Sequence, residues 1–283
     1  MTTVATGLSF ALSALLYAAS SVLFFAHIAR GREPTARAAA QARVRFAPLF
    51  LAGGAVGHAV HVTVASFIAH VCPVHSVHFM LSMAALFASV VYLLARRRFN
   101  IDALGILVAP LSLAFLLGTF FLGKPGPEPH LEPSFIAMHV LANLAGVALF
   151  LLAGCAAVLY LVQDKRLKQK KRLDNLGSLP PLDALDRAEH WFLLAGFPLL
   201  TLGIVTGTVW ARKLEEGLLD DVLRTGLGYA TWLLFGGVLL LRVGAGWRGR
   251  RSAYGTIAGL GCAVAVVVFY LVRPALALPG LGG

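Results

Sequence analysis

The sequence predicts an all-α integral membrane protein, a bundle of eight transmembrane helices with both termini outside. Of its 283 residues, 58% are hydrophobic and 13% are charged, whereas about 25% of the residues in a soluble domain are charged. The mean hydropathy is +0.80. Eight apolar runs are long enough to cross a hydrocarbon core of about 30 Å as helices, and they lie at approximately 6–29, 46–70, 77–95, 101–122, 135–162, 190–211, 227–243 and 254–272.

The basic residues determine the predicted orientation. Most of the 24 Lys and Arg lie in the first, third, fifth and seventh connections, and positively charged connections stay in the cytoplasm. Both termini are therefore predicted to face outward, and residues 6–28 are interpreted as a retained helix rather than a signal peptide. The net charge of +11 thus reflects topology and contact with anionic membrane lipid, and no nucleic acid is expected as a partner. Residues 1–283 are expected to form a single polytopic membrane domain.

The ionisable residues narrow the function. All 13 Asp and Glu fall in predicted loops or at helix ends, which disfavours a proton- or ion-coupled transporter, because such proteins need charged groups inside the membrane. His58 and His61 are three residues apart and share one face of the second helix. For each of them the alternative to a functional role is a hydrogen bond to a neighbouring helix. Three further histidines are interpreted as interfacial residues without a built metal site: His70, His75 and His78.

One long stretch resembles a known family. Residues Thr201–Arg242 contain GTVWA, an acidic loop and the pair Thr231-Trp232, followed by a helix that ends in arginine. This order resembles the tryptophan-rich region of cytochrome c assembly proteins of the CcsA/ResC type and their HemX-like relatives. The WxWDP core of that family is replaced here by Leu219–Leu223, and its histidine before the terminal arginine is Leu240. The run YLVQDKRLKQKK, followed by LPPLDALD, resembles the HemX-like branch.

The resemblance covers residues 46–272 and includes one histidine at a family position. The stretch PSFIAMHV resembles the segment in which the family carries an axial haem ligand, which implies that His139 binds the haem iron. Asn143, one turn further along the same face, is expected to hold the imidazole ring by a hydrogen bond. The later histidines of the family have no counterpart in this chain. His61 is therefore the candidate for the second axial ligand of the iron.

Two tryptophans flank the acidic loop Lys213–Asp221. Trp210 and Trp232 are expected to form an aromatic wall for haem, and the alternative is that they belong to the interfacial aromatic belt. Gly203 and Gly207 form a Gly-x-x-x-Gly pattern that is expected to pack closely against another helix. The cationic side chains that could meet the haem propionates are Arg212, Lys213 and Arg224.

The leading hypothesis from the resemblance is a membrane protein of cytochrome c biogenesis. It would bind or handle haem at the outer face of the bacterial cytoplasmic membrane, with other assembly proteins and apocytochrome c as partners. It is not expected to be an enzyme by itself, and any haem-lyase role would require partner proteins. The sequence lacks Cys-x-x-Cys and Cys-x-x-Cys-His, so it is neither a thiol oxidoreductase nor a c-type cytochrome. The alternatives are a HemX-like accessory protein of haem biosynthesis that does not transfer haem, and a small-molecule transporter.

Overall fold

A computed structural model describes residues 2–29, 46–67, 76–122, 133–169, 179–211 and 218–276. In these residues there is no β-strand, and eight helices are long and apolar enough to cross a membrane. The predicted fold class, an all-α membrane protein with eight spanning helices, is therefore confirmed. The helices are α1 (Thr2–Ala29), α2 (Ala47–Phe67), α3 (Val77–Phe99), α4 (Gly105–Leu122), α5 (Pro133–Lys168), α6 (Leu182–Ala211), α7 (Leu218–Gly244) and α8 (Arg250–Leu276).

The helices pack as two groups that meet at α3 and α5. In the first group, α1 lies against α2 and α4, and α3 lies against α4. In the second group, α5 has its most extensive contact with α6 and also packs against α8, which in turn packs against α7. Buried aromatic side chains fill both groups: Tyr17 and Tyr92 in the first, and Phe150 stacked on Phe235 with ring centroids 4.0 Å apart in the second. Large apolar side chains cover the outer surface, as expected for a bundle surrounded by lipid tails.

The beginning of α6 differs from the prediction. The sequence predicted a membrane helix over 190–211, but the structure has one continuous helix, Leu182–Ala211. Pro181 stands just before the first helical residue, where proline is tolerated, and nothing interrupts the helix before residue 190. Leu185 and Ala188 are fully buried, so the first turns of α6 belong to the packed bundle.

This longer helix corrects the prediction that every carboxylate lies in a loop or at a helix end. Asp186 and Glu189 lie inside a helix of membrane-spanning length, and both side chains are buried. Glu189 is about 10 Å along the helix axis from Leu182. The apolar run that predicted the sixth helix, residues 190–211, begins after these two carboxylates, which were therefore assigned to the preceding connection.

The acidic loop Lys213–Asp221 is also shorter than predicted. Helix α7 begins at Leu218, not near residue 227, so Asp220 and Asp221 belong to its first turn. Residues 212–217 lie outside the described residues.

Candidate functional site

His139 lies in α5, about 9 Å along the helix axis from Pro133, and faces α6. Its Nδ1 atom is 2.7 Å from the hydroxyl oxygen of Thr206. That hydroxyl donates its proton to the carbonyl oxygen of Leu202 at 2.7 Å, so its oxygen is placed to accept a hydrogen bond from Nδ1. In the tautomer that makes this bond, the proton is on Nδ1 and the lone pair is on Nε2, and the Asn143 amide nitrogen lies 3.4 Å from Nδ1.

Asn143 takes the role beside His139 that the sequence predicted. Its amide nitrogen donates to the backbone carbonyl of His139 at 2.8 Å and lies 3.2 Å from the ring Nε2. One amide group thus contacts both the backbone and the lone-pair nitrogen of the same histidine. The ring is fixed from two sides, by Thr206 of α6 and by Asn143 of its own helix.

Two glycines of α6 make room for this histidine and asparagine. A Cβ atom added at Gly203 would lie 2.3 Å from Oδ1 of Asn143, and one added at Gly207 would lie 3.3 Å from Cε1 of His139. The Gly-x-x-x-Gly pattern therefore has the close-packing role predicted for it, and the surface against which it packs contains the candidate ligand.

Substitution of Gly203 by alanine should weaken the contact between α5 and α6. The added methyl group overlaps the Asn143 amide, so the free energy of unfolding should fall by about 1–3 kcal/mol, as in other overpacked interiors. Thermal unfolding of the purified protein in detergent measures the effect. Gly237→Ala is the control, since a Cβ atom there meets nothing within 4 Å and alanine favours a helix over glycine. Equal losses of stability in both variants would contradict the close approach at Gly203.

Trp232 is held against α6. Its indole N–H donates to the hydroxyl oxygen of Thr201 at 2.9 Å, and its ring stacks on Phe197 with centroids 5.6 Å apart. One face of the indole and its single donor are thus already engaged within the bundle. Trp210 lies in the last turn of α6. The side chains of Trp210 and Arg224, and all of Arg212 and Lys213, lie outside what the structure describes.

His61 lies in the other group of helices, on α2. It is 7% exposed, about 9 Å from Phe67 along α2, and it faces α1. Its Nδ1 atom donates to the carbonyl oxygen of Thr6 at 3.2 Å, which leaves the lone pair on Nε2, and its ring lies beside Phe10. The structure therefore places the two predicted ligands against different partner helices, His61 against α1 and His139 against α6.

His58 has the interhelical role that was the alternative for both histidines of α2. It is fully buried, its Nε2 atom is 2.8 Å from the hydroxyl of Ser82, and its Nδ1 atom is 3.3 Å from the hydroxyl of Tyr17. Both ring nitrogens are thus satisfied by hydroxyl groups of α1 and α3. His70 and His75 lie outside the described residues.

A buried ion pair at the opposite end of the bundle was missed by the sequence reasoning. Arg242 of α7 donates to the side-chain Oδ2 of Asp186 at 2.5 Å and to its backbone carbonyl at 3.0 Å. The other carboxylate oxygen of Asp186 accepts from the backbone N–H of Gly249 at 2.8 Å. Asp186 lies in the stretch LPPLDALD and Arg242 is the helix-terminal arginine, and both of these features resemble the family. This shared resemblance was the sequence feature from which the ion pair could have been suspected. Leu240, by contrast, is 75% exposed.

Residues 73–276 match a protein family described as cytochrome c assembly protein. Several curated relatives are named cytochrome c biogenesis protein CcsA. The one from Guillardia theta is 28% identical over 192 residues, which are 60% of this chain and 63% of the relative. The one from Chlamydomonas reinhardtii is 30% identical over 157 residues, 53% of this chain and 43% of the relative. The one from Prochlorococcus marinus (strain MIT 9312) is 27% identical over 162 residues, 50% of this chain and 52% of the relative.

The chain therefore spans less than two thirds of the length of these three relatives. No solved structure matches it. The family match contains His139, Thr206 and the Asp186–Arg242 pair, whereas His58 and His61 precede it.

Proposed function

Because the chain belongs to the cytochrome c assembly protein family, we propose that it acts in cytochrome c biogenesis, as a protein that binds haem through His139. It is a multi-pass membrane protein, and we place it in the bacterial cytoplasmic membrane with its haem site at the outer face. Support for that orientation comes from the alternation of basic connections in the sequence.

The observation that carries the proposal is the state of His139. An axial ligand must offer a ring nitrogen with a lone pair, and ligating histidines commonly donate from the other nitrogen to a fixed acceptor. His139 is placed for this arrangement, because in the tautomer whose Nδ1–H donates to Thr206 the lone pair is on Nε2. The amide of Asn143, which lies near Nε2, also donates to the His139 carbonyl. It can therefore release the ring nitrogen and keep a hydrogen bond.

The donor set thus fits one axial position, and the haem would be the cargo of the assembly pathway. His61 supports a second position by its depth and by the lone pair on its Nε2 atom. His61 contacts α1 and not α5 or α6. The structural support for His61 as an axial ligand is therefore weaker than the support for His139. Trp210 and Trp232 remain candidates for aromatic contacts with the porphyrin, although Trp232 already stacks on Phe197.

The proposed partners are apocytochrome c and other assembly proteins, which would meet the haem at the same end of the bundle. The relatives whose names refer to cytochrome c biogenesis favour this role over that of a HemX-like accessory protein. We propose no bond-forming step for the chain alone, and thioether formation would be completed with partner proteins.

The proposal is tested by the haem content of the chain purified in detergent from cells that make ample haem. A Soret band is expected, and the haem should be extractable by acidified organic solvent, because the chain has no Cys-x-x-Cys-His attachment motif. Extracted haem should give the spectrum of a b-type haem. Protein purified without haem under these conditions would contradict the proposal.

A further inference from the structure

A second polar site lies at the end of the bundle opposite His139, where α6, α7 and α8 meet. Its central residue is Glu189, which is 0% exposed. Its Oε1 atom accepts two hydrogen bonds, from the hydroxyl of Ser252 at 2.9 Å and from the hydroxyl of Thr256 at 2.6 Å. Its other oxygen, Oε2, is buried and has no hydrogen-bond partner among the residues that the structure describes.

The nearby positive charge, on Arg242, is paired with Asp186 and not with Glu189. Arg242 uses one terminal nitrogen for Asp186 and the other for the hydroxyl oxygen of Ser252 at 3.0 Å. Both carboxylate oxygens of Asp186 receive donors, which makes Asp186 the ionised partner of the arginine. Glu189 receives hydrogen bonds from neutral hydroxyl groups instead.

A buried carboxylate that lacks a positive partner is costly inside a membrane protein, and a neutral carboxyl group avoids that cost. The hydrogen-bond directions show where the proton would be. Since Oε1 accepts from both Ser252 and Thr256, it acts as the carbonyl oxygen. The proton then belongs on Oε2, the oxygen without a partner.

We propose that Glu189 is a reversible proton-binding site of this protein, occupied by a proton on Oε2 in the resting state. The proton exchanges with water at the end of the bundle where α6 begins, about 10 Å away along the helix axis. His190, the next residue, is half-buried, and its Nδ1 atom is buried without a hydrogen-bond partner in the described part of the chain, so a second titratable group lies next to Glu189.

The charged groups described near Glu189 come from several helices. Asp164 of α5 is paired with Lys168 and Arg250, so its charge is offset locally. Loss of the Glu189 proton would add a negative charge beside Asp186, and the guanidinium of Arg242 would then face two carboxylates. Among the residues that the structure describes, the charged groups that act on Glu189 or on its neighbours Tyr160 and His190 are Asp164 of α5, Asp186 of α6, Arg242 of α7, Arg248, and Arg250 of α8.

Infrared spectroscopy of the purified full chain tests this proposal without reference to haem. The wild-type protein should have a carbonyl-stretching band of a protonated carboxylic acid, shifted in heavy water, that is absent in Glu189→Gln. The band should decrease reversibly as the pH is raised. Asp183→Asn, which removes an exposed carboxylate of the same helix, should leave the band unchanged.

Glutamine is a neutral isostere of the protonated acid, so Glu189→Gln should unfold at the same temperature as the wild type. If the variant does not fold, isotope-labelled glutamate in the wild-type protein replaces it, and the band should then shift with the label. Identical carboxylic-acid regions in the wild type and Glu189→Gln at every pH at which both are folded would overturn the proposal. So would a wild-type band that is insensitive to labelled glutamate.

Discussion

Replacing His139 by alanine is expected to remove most of the haem that purifies with the chain. The substitution deletes the imidazole ring, whose Nδ1 atom contacts Thr206 and whose Nε2 atom lies beside Asn143. Loss of even a supporting partner of a metal ligand commonly lowers affinity 10- to 100-fold, so loss of the ligand itself should lower haem occupancy by about tenfold or more. The Soret absorbance per protein is the measurement, and the residual band should shift because the axial ligand has changed.

The variant Thr206→Val tests whether His139 acts as a haem ligand or only fills space between α5 and α6. Valine keeps the shape of threonine but cannot accept the Nδ1 proton of His139, so the ring loses its fixed orientation. Haem occupancy should fall by about tenfold. The loss of haem in Thr206→Val should not exceed the loss in His139→Ala. If His61 supplies the second ligand, His61→Ala should also lose haem, and the double variant should be no worse than the more severe single one.

Two histidines outside the site serve as controls. His78 lies at the same predicted outer end, and the contact of Thr119 with it is made to its backbone carbonyl, which alanine retains. His190 lies at the other end of the bundle. Both His78→Ala and His190→Ala should keep the wild-type spectrum. Undiminished haem in His139→Ala, or an equal loss in His78→Ala, would remove His139 from the proposed site.

The helices could be predicted from the sequence because each apolar run is a local pattern. The partners of the polar residues could not. His139 and Thr206 are 67 positions apart, and Asp186 and Arg242 are 56 positions apart, so no local spacing indicates that they meet. Asn143 was predicted correctly beside His139 because a residue four positions away on a helix is a spatial neighbour.

The buried carboxylates also change one functional argument. Their apparent absence from the helices disfavoured a coupled transporter, and the positions of Asp186 and Glu189 remove that argument. The preference for a role in cytochrome c biogenesis now depends on the family match and on the state of His139. A proton-binding Glu189 is compatible with that role, since it lies at the other end of α6 from Thr206.

Breaking the ion pair between Asp186 and Arg242 should strongly destabilise the protein. The side chains of Arg242 and Asp186 are 6% and 12% exposed. Asp186→Asn leaves the guanidinium buried without a counter-charge, which should cost about 3–5 kcal/mol. Arg242→Met leaves the carboxylate in the same position and should cost a similar amount. Thermal or denaturant unfolding in detergent measures both losses.

The double variant Asp186→Leu/Arg242→Met should recover much of that stability, because replacing both charges by apolar groups removes the unpaired charge rather than creating one. The control is Asp183→Asn, which breaks the pair between Asp183 and Arg187 on the same helix. Their side chains are 71% and 60% exposed, so the loss should be about 1 kcal/mol or less. If Asp186→Asn proved no more harmful than Asp183→Asn, the ion pair could not be what joins α6 to α7 at this end of the bundle.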